Sequence, residues 1–228
     1  MTVQQAKPLL KICGLQGVEV LKSMKHLTVD FIGFVFAKSR RQVSAEHAAQ
    51  LCNVLNEWEA VPSPRSAGVF VNPDWEELTA ILDQAPLDVI QLHGQESPDF
   101  CQKVREVLGV QVFKAFSIHE NQTPGMSAHD QLNPYKGKVD AILLDTYDGV
   151  YGGGSGKTFA WEKSLPYQQW ADRTGIPLFV AGGLDAENVT GLVRRYAPDG
   201  VDVSSGVETD GHKDIVKMTA FVERVKKA

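Results

Sequence analysis

The sequence predicts an α/β protein, a single (βα)8 barrel with residues 1–228 forming one domain. Short apolar or β-branched runs alternate with amphipathic stretches from end to end, the pattern of βα units around a parallel sheet. Eight such runs fit into 228 residues, near the lower end of the size such barrels take. No Pro/Gly/Ser-rich linker or charge run divides the chain. An open doubly wound sheet is the rival, but the first run is followed by ICGLQGVEV, which is not the GxGxxG fingerprint expected there.

The strands are expected, in order, at LLKIC (9–13), FIGFVF (31–36), AGVFV (67–71), DVIQL (88–92), VFKAF (112–116), AILLD (141–145), PLFVA (177–181) and GVDVS (200–204). Helices are expected between them over 44–58, 74–84 and 97–108, with Ser44, Asp74 and Ser97 as start signals, and a last one over 213–227 closes the chain. The fifth unit is the weakest. Residues 117–138 have poor helical periodicity and read as a loop with a short or distorted helix.

Composition narrows the partners. A formal charge of −5 and a pI near 5.7 supply no basic field for nucleic acid or acidic membranes, so a small molecule is the expected partner. The N-terminal segment has no apolar core of signal-peptide length, and nowhere do about 18 apolar residues run together, so a cytoplasmic protein is expected. Cys13, Cys52 and Cys101 are too few and too scattered for a disulfide framework or a zinc site, and no metal is expected. Cys52 and Cys101 fall in helical segments and read as small core residues; Cys13 ends a strand.

In barrels of this class the reactive groups sit at the carboxyl ends of strands and in the loops that follow. Cys13 ends strand 1, Arg41 lies after strand 2, His93 follows strand 4 and Asp145 ends strand 6. Gly182 and Gly183 follow strand 7, and Ser204, Ser205 and Gly206 follow strand 8, where such barrels frequently bind phosphate through backbone N–H groups and a short helix. Cys13 and Asp145 are the acid/base candidates, because both exchange protons and both point to the barrel mouth. Lys11 shares a face with Cys13, so its ammonium is expected to depress the thiol pKa. Nucleophilic catalysis by Cys13 with His93 as its base is a competing reading. Arg41, in AKSRRQVS, suits a two-pronged grip on a carboxylate. Gln91, His93 and Lys114 fit a structural polar network as readily as substrate contacts.

The stretch GGGSGKT (152–158) resembles a phosphate-gripping P-loop, but the first glycine of that motif would fall on Tyr151, and the loop does not spring directly from a strand. Its glycines suit a flap over a bound sugar phosphate, with residues 149–158 closing and Lys157 near the substrate. A nucleotide-binding switch using this loop is the alternative of a different class.

Taken in order, KICG (11–14), GFVFAKSRRQVS (33–44), AGVFVN (67–72), DVIQLHGQE (88–96), FKAF (113–116), LLDT (143–146), GGGSGKTFAW (152–161), AGGL (181–184), DVSSGVE (202–208) and HKD (212–214) resemble the phosphoribosylanthranilate isomerases of tryptophan biosynthesis over essentially the whole chain. The resemblance implies a catalytic (βα)8 domain, monomeric or homodimeric, that needs no cofactor. The implied reaction is the Amadori rearrangement of N-(5-phosphoribosyl)anthranilate to 1-(2-carboxyphenylamino)-1-deoxyribulose 5-phosphate. It also implies Asp145 as general acid on the furanose oxygen, Cys13 as the base at carbon 2, Arg41 on the anthranilate carboxylate, and the loops at 182–184 and 204–206 on the phosphate. A related sugar-phosphate isomerase of the histidine pathway is the second enzymatic reading. The chain departs from the commoner family pattern at Gln16-Gly17, at Arg40, where proline is frequent, and at DGHKD (210–214).

Overall fold

The computed structural model describes residues 7–118, 127–146 and 161–228. Eight parallel strands close into a barrel in sequence order: β1 Leu9–Cys13, β2 Phe31–Val35, β3 Arg65–Phe70, β4 Val89–Leu92, β5 Gln111–Ile118, β6 Ala141–Thr146, β7 Leu178–Val180 and β8 Gly200–Val203. The boundaries differ from the expected runs by a residue or two, because ladder partners and not apolar content set where a strand stops. Closure is made by β1 on β8, with Lys11 opposite Asp202.

Helices α1 Val18–Ser23, α2 Ala45–Leu55, α3 Trp75–Leu82, α4 Pro98–Leu108, α5 Ala128–Leu132, α6 Leu165–Thr174, α7 Val189–Tyr196 and α8 Ile215–Lys226 follow the strands. The expected caps form. Ser44, Asp74 and Ser97 accept hydrogen bonds from the backbone N–H groups of His47, Glu77 and Phe100, satisfying donors that the helix leaves unpaired. In the fifth unit the described part is a short helix, α5, running into a 3-10 turn at Asn133–Tyr135. A small antiparallel pair, β9 Glu208–Thr209 and β10 His212–Lys213, was not expected from the sequence. Its turn is Asp210-Gly211, both at positive φ, the geometry a two-residue hairpin demands and the signal that could have revealed it.

Side chains alternate across each strand. Outward ones such as Leu10, Ile12, Ile90 and Leu144 pack with the helices in the large outer core. Inward ones fill the lower barrel, where Phe31, Phe113 and Phe179 meet with ring centroids 5.2–5.8 Å apart. Gly200 leaves the space that the Phe179 ring occupies, and the Arg65 guanidinium covers the floor 4.4 Å from the Phe31 ring. Above this apolar plug the same inward faces turn polar: Lys11, Gln91, Asp145 and Asp202 are all buried. Among the described residues no helix is long and apolar enough to cross a membrane.

Candidate active site

The polar upper layer opens into a cavity of about 650 Å³ at the carboxyl ends of the strands. Cys13, Arg41, His93, Asp145, Gly182, Gly183, Ser204 and Ser205 all line it. Gly206 does not: it packs against the carbonyl of Leu184, where any side chain would collide, and so lets the loops after β7 and β8 touch. Gly182 and Gly183 have positive φ values of 87° and 63°, which few other residues adopt, and Ser205 opens a 3-10 turn, Ser205–Val207. Residues 149–158, including Lys157, lie outside the described residues, as does any flap they form.

Cys13 is a free, buried thiol at the end of β1. Gly33 on the neighbouring strand makes its space: a Cβ there would sit 2.7 Å from Sγ and 3.0 Å from the Cys13 Cα. Lys11 does share the face, but its ammonium is bound to Asp202 Oδ2 at 2.8 Å. Burial pushes the Cys13 thiol above its ordinary value, and the opposing pull of Lys11 is smaller; the expected depression is corrected to a rise. Taking a thiolate out of water costs more here than an ammonium already committed to a carboxylate returns. Burial works against the Lys11 charge as well, yet Asp202 and Cys13 outweigh it and hold the ammonium above its ordinary value.

His93 continues β4, its backbone N–H donating to the Phe70 carbonyl at 2.8 Å. The Gln91 amide lies 3.3 Å from its Nδ1; with that amide donating, the ring proton sits on Nε2, which is 3.4 Å from Asp145 Oδ2. Both ring nitrogens are thus turned to Gln91 and Asp145. No hydrogen bond joins His93 to the Cys13 thiol, so the geometry does not build the thiol–imidazole pair of the nucleophilic reading. Among the described residues, Gln91 Oε1, His93 Nε2, Asp145 Oδ1 and Asp202 Oδ1 are buried atoms with no hydrogen-bond partner, and all four residues line the cavity. Four unsatisfied polar atoms converging on one hollow are what a polar ligand would satisfy. Among the described residues no group of three His, Cys, Asp or Glu side chains is spaced to hold a metal ion.

Lys114 is not in the barrel interior. It points outward beneath the loop after β4, pairs with buried Glu96 at 3.1 Å and donates to the carbonyls of Leu92, Gly94 and Ala115. Glu96 accepts from the backbone N–H groups of Asn72 and Gly94, so this buried pair anchors the turn that carries His93.

Arg41 lies on the opposite flank. Its stem packs over Gly14, where a Cβ would come 2.5 Å from Cδ, and its Nε and Nη2 donate to the two oxygens of Glu208 at 2.7 and 3.0 Å. Gln16 holds the same loop through the carbonyls of Arg40 and Gln42. Glu208, Lys213 and Asp202 were not singled out from the sequence. The register that puts Asp202 beside Lys11 on inward faces was available for that residue; Glu208 and Lys213 fall within the strings DVSSGVE and HKD, which carry the resemblance without assigning either a role.

The family model for N-(5'-phosphoribosyl)anthranilate (PRA) isomerase matches residues 10–224. An N-(5'-phosphoribosyl)anthranilate isomerase of Brevibacillus brevis is 48% identical over 95% of this chain and 93% of its own length. Among solved structures, monomers of the dimeric phosphoribosylanthranilate isomerase from Thermotoga maritima align with TM-score 0.77 and 33% identity, over 97% of this chain and 100% of theirs. A phosphoribosylanthranilate isomerase in complex with reduced 1-(o-carboxyphenylamino)-1-deoxyribulose 5-phosphate aligns with TM-score 0.73 and 31% identity, over 97% and 100%. With its closed barrel, its converging polar cavity and matches across nearly its whole length, the chain belongs to the N-(5'-phosphoribosyl)anthranilate isomerase family of tryptophan biosynthesis.

Proposed function

We propose that this cavity catalyses the isomerisation of N-(5-phosphoribosyl)anthranilate with Asp145 as general acid and Cys13 as general base. The observation that carries the assignment is that both proton-exchanging side chains line one cavity, each on the last inward position of its strand, within a member of this family. Asp145 protonates the furanose ring oxygen, the bond from that oxygen to carbon 1 breaks, and the nitrogen lone pair forms an iminium. The Cys13 thiolate then takes the proton from carbon 2, and the electron pair moves into the iminium to give an enolamine. Tautomerisation yields the ketone. The iminium is the electron sink, so the scheme calls for no cofactor. A buried thiol is scarce as thiolate but strongly basic once formed, which suits a carbon acid.

The ends of the substrate are assigned to separate grips. Arg41 takes the ring carboxylate, with Val35, Phe36, Val69 and Val71 forming an apolar wall for the aryl group. Gly182, Gly183, Ser204 and Ser205 take the phosphate, with Gly206 holding the two loops together. The His93 Nε2–H, unpartnered beside Asp145, supplies a donor to the sugar. In the ring of strands Cys13, on β1, stands between the β2 and β8 grips, so binding at the ends fixes the reacting carbons beside the base. We read the 228 residues as a single catalytic domain, monomeric or homodimeric, cytoplasmic, and without nucleic-acid partners given its net charge of −5.

Turnover is followed by loss of anthranilate-type fluorescence. Cys13→Ala and Asp145→Ala are each expected to lower kcat/KM by at least about 100-fold with the fold intact. Near-normal rates in both variants would sink the mechanism.

A further inference from the structure

Glu208 gathers four hydrogen-bond donors from three cationic side chains. Its Oε1 accepts from Arg41 Nε at 2.7 Å and Lys213 Nζ at 2.8 Å, and its Oε2 from Arg41 Nη2 at 3.0 Å and Arg40 Nη2 at 2.6 Å. Its side chain is 5% exposed, and although burial alone would raise its pKa, the hydrogen bonds from Arg41 and the charge of Lys213 hold it below the usual carboxylate range. A carboxylate so saturated is a poor proton carrier. It is a fixed anion, and what it fixes lines the cavity. Arg41 spends its Nε edge on Glu208, while among the described residues its Nη1 end makes no hydrogen bond. The stem lies over Gly14, in space that any side chain at that position would take.

We propose that Glu208 is a positioning residue for substrate recognition: by occupying the Nε edge of Arg41 it commits the Nη1 end of the guanidinium to the substrate's ring carboxylate. The proposal rests on the assignment of Arg41 to that carboxylate. Lys213, which also donates to the Ser204 carbonyl at 2.8 Å, ties the same anion to the loop after β8. Arg40 adds a second, largely exposed guanidinium, whose Nη1 lies over Gly211 of the hairpin. The two ends of the substrate are therefore gripped by loops that share one counter-ion.

The test compares two non-reacting ligands, a reduced product analogue and its counterpart lacking the ring carboxylate, by calorimetric Kd. In the wild type the carboxylate is expected to strengthen binding by about 10- to 150-fold, the range of a charge-assisted hydrogen bond. Glu208→Gln is expected to cut that ratio by at least about fivefold while the carboxylate-free ligand binds as before. A merely structural clamp would weaken both ligands alike, and that result, or an unchanged ratio, overturns the proposal. Arg41→Ala separates the two claims. If it leaves the ratio intact, the assignment of Arg41 falls and this proposal with it. If it abolishes the ratio while Glu208→Gln preserves it, only the positioning role falls. Should Glu208→Gln fail to fold, Glu208→Asp keeps the charge but retracts it by one methylene; a reduced ratio supports the role, and a full ratio refutes it.

Discussion

Gly33→Ala places one methyl group against the proposed base. The added Cβ would stand 2.7 Å from the Cys13 Sγ, 3.0 Å from its Cα and 3.1 Å from its Cβ, whereas comfortable contact begins at about 3.5–4.0 Å. The Cα belongs to a laddered strand, Cys13 opposite Gly33, and cannot retreat alone; the thiol must rotate or move by roughly 1 Å. Overpacking of this kind costs about 1–3 kcal/mol, which for a chain of this size lowers Tm by about 2–12 °C. The effect on catalysis should be larger, since a misplacement of about 1 Å costs on the order of 100-fold in rate. Steady-state fluorescence assays below the transition should find kcat reduced by about two orders of magnitude with KM within about threefold of wild type, because Arg41 and the phosphate loops are untouched. Thermal unfolding on the same preparation supplies the Tm. A variant that loses several degrees of Tm yet keeps kcat within about threefold would show that the rate does not depend on where this thiol sits, and would refute the assignment of Cys13 as base.

Two further outcomes follow from buried charge. Lys11→Met leaves Asp202 buried without its cation and should destabilise the protein by about 3–5 kcal/mol in urea unfolding; Lys11→Met combined with Asp202→Leu should recover most of that loss, and strict additivity would contradict the pairing. Because burial raises the Cys13 thiol above its ordinary 9.0, its base form keeps growing through the neutral and alkaline range. The thiol's contribution to kcat/KM should therefore climb up to about tenfold per pH unit and still be rising at about pH 9, and a plateau by about pH 8 would mean a depressed thiol.

The barrel was legible because its signals are local. Short runs of Val, Ile, Leu and Phe mark the strands, and Ser44, Asp74 and Ser97 mark helix starts through hydrogen bonds to backbone three residues away. Once the strands are located, their last inward positions are located too, which brings Cys13 and Asp145 to one mouth without any knowledge of contacts. The hairpin at 208–213 was missed although Asp210-Gly211 carries a turn signal, since its strands are only two residues each and carry no usable alternation.

The chain sequence by itself thus determined the fold and the end of the barrel where the chemistry gathers, because these depend on periodicity and on residue types repeated along the chain, while the family was legible only through the motif strings that resemble it. Only the tertiary structure decided the electrostatics. That Lys11 serves Asp202 before it serves Cys13 rests on a contact across 191 positions, and the sign of the thiol shift rests on burial, a property of the whole enclosure. Lys114, on the fifth strand, proved to brace the His93 turn from outside the barrel, because alternation turns it away from the inward faces of Phe113 and Ala115. Glu208, 167 residues from Arg41, ends the string DVSSGVE with nothing local to mark its role, and becomes the shared counter-ion of three cations only when β2 and β8 are brought to either side of β1.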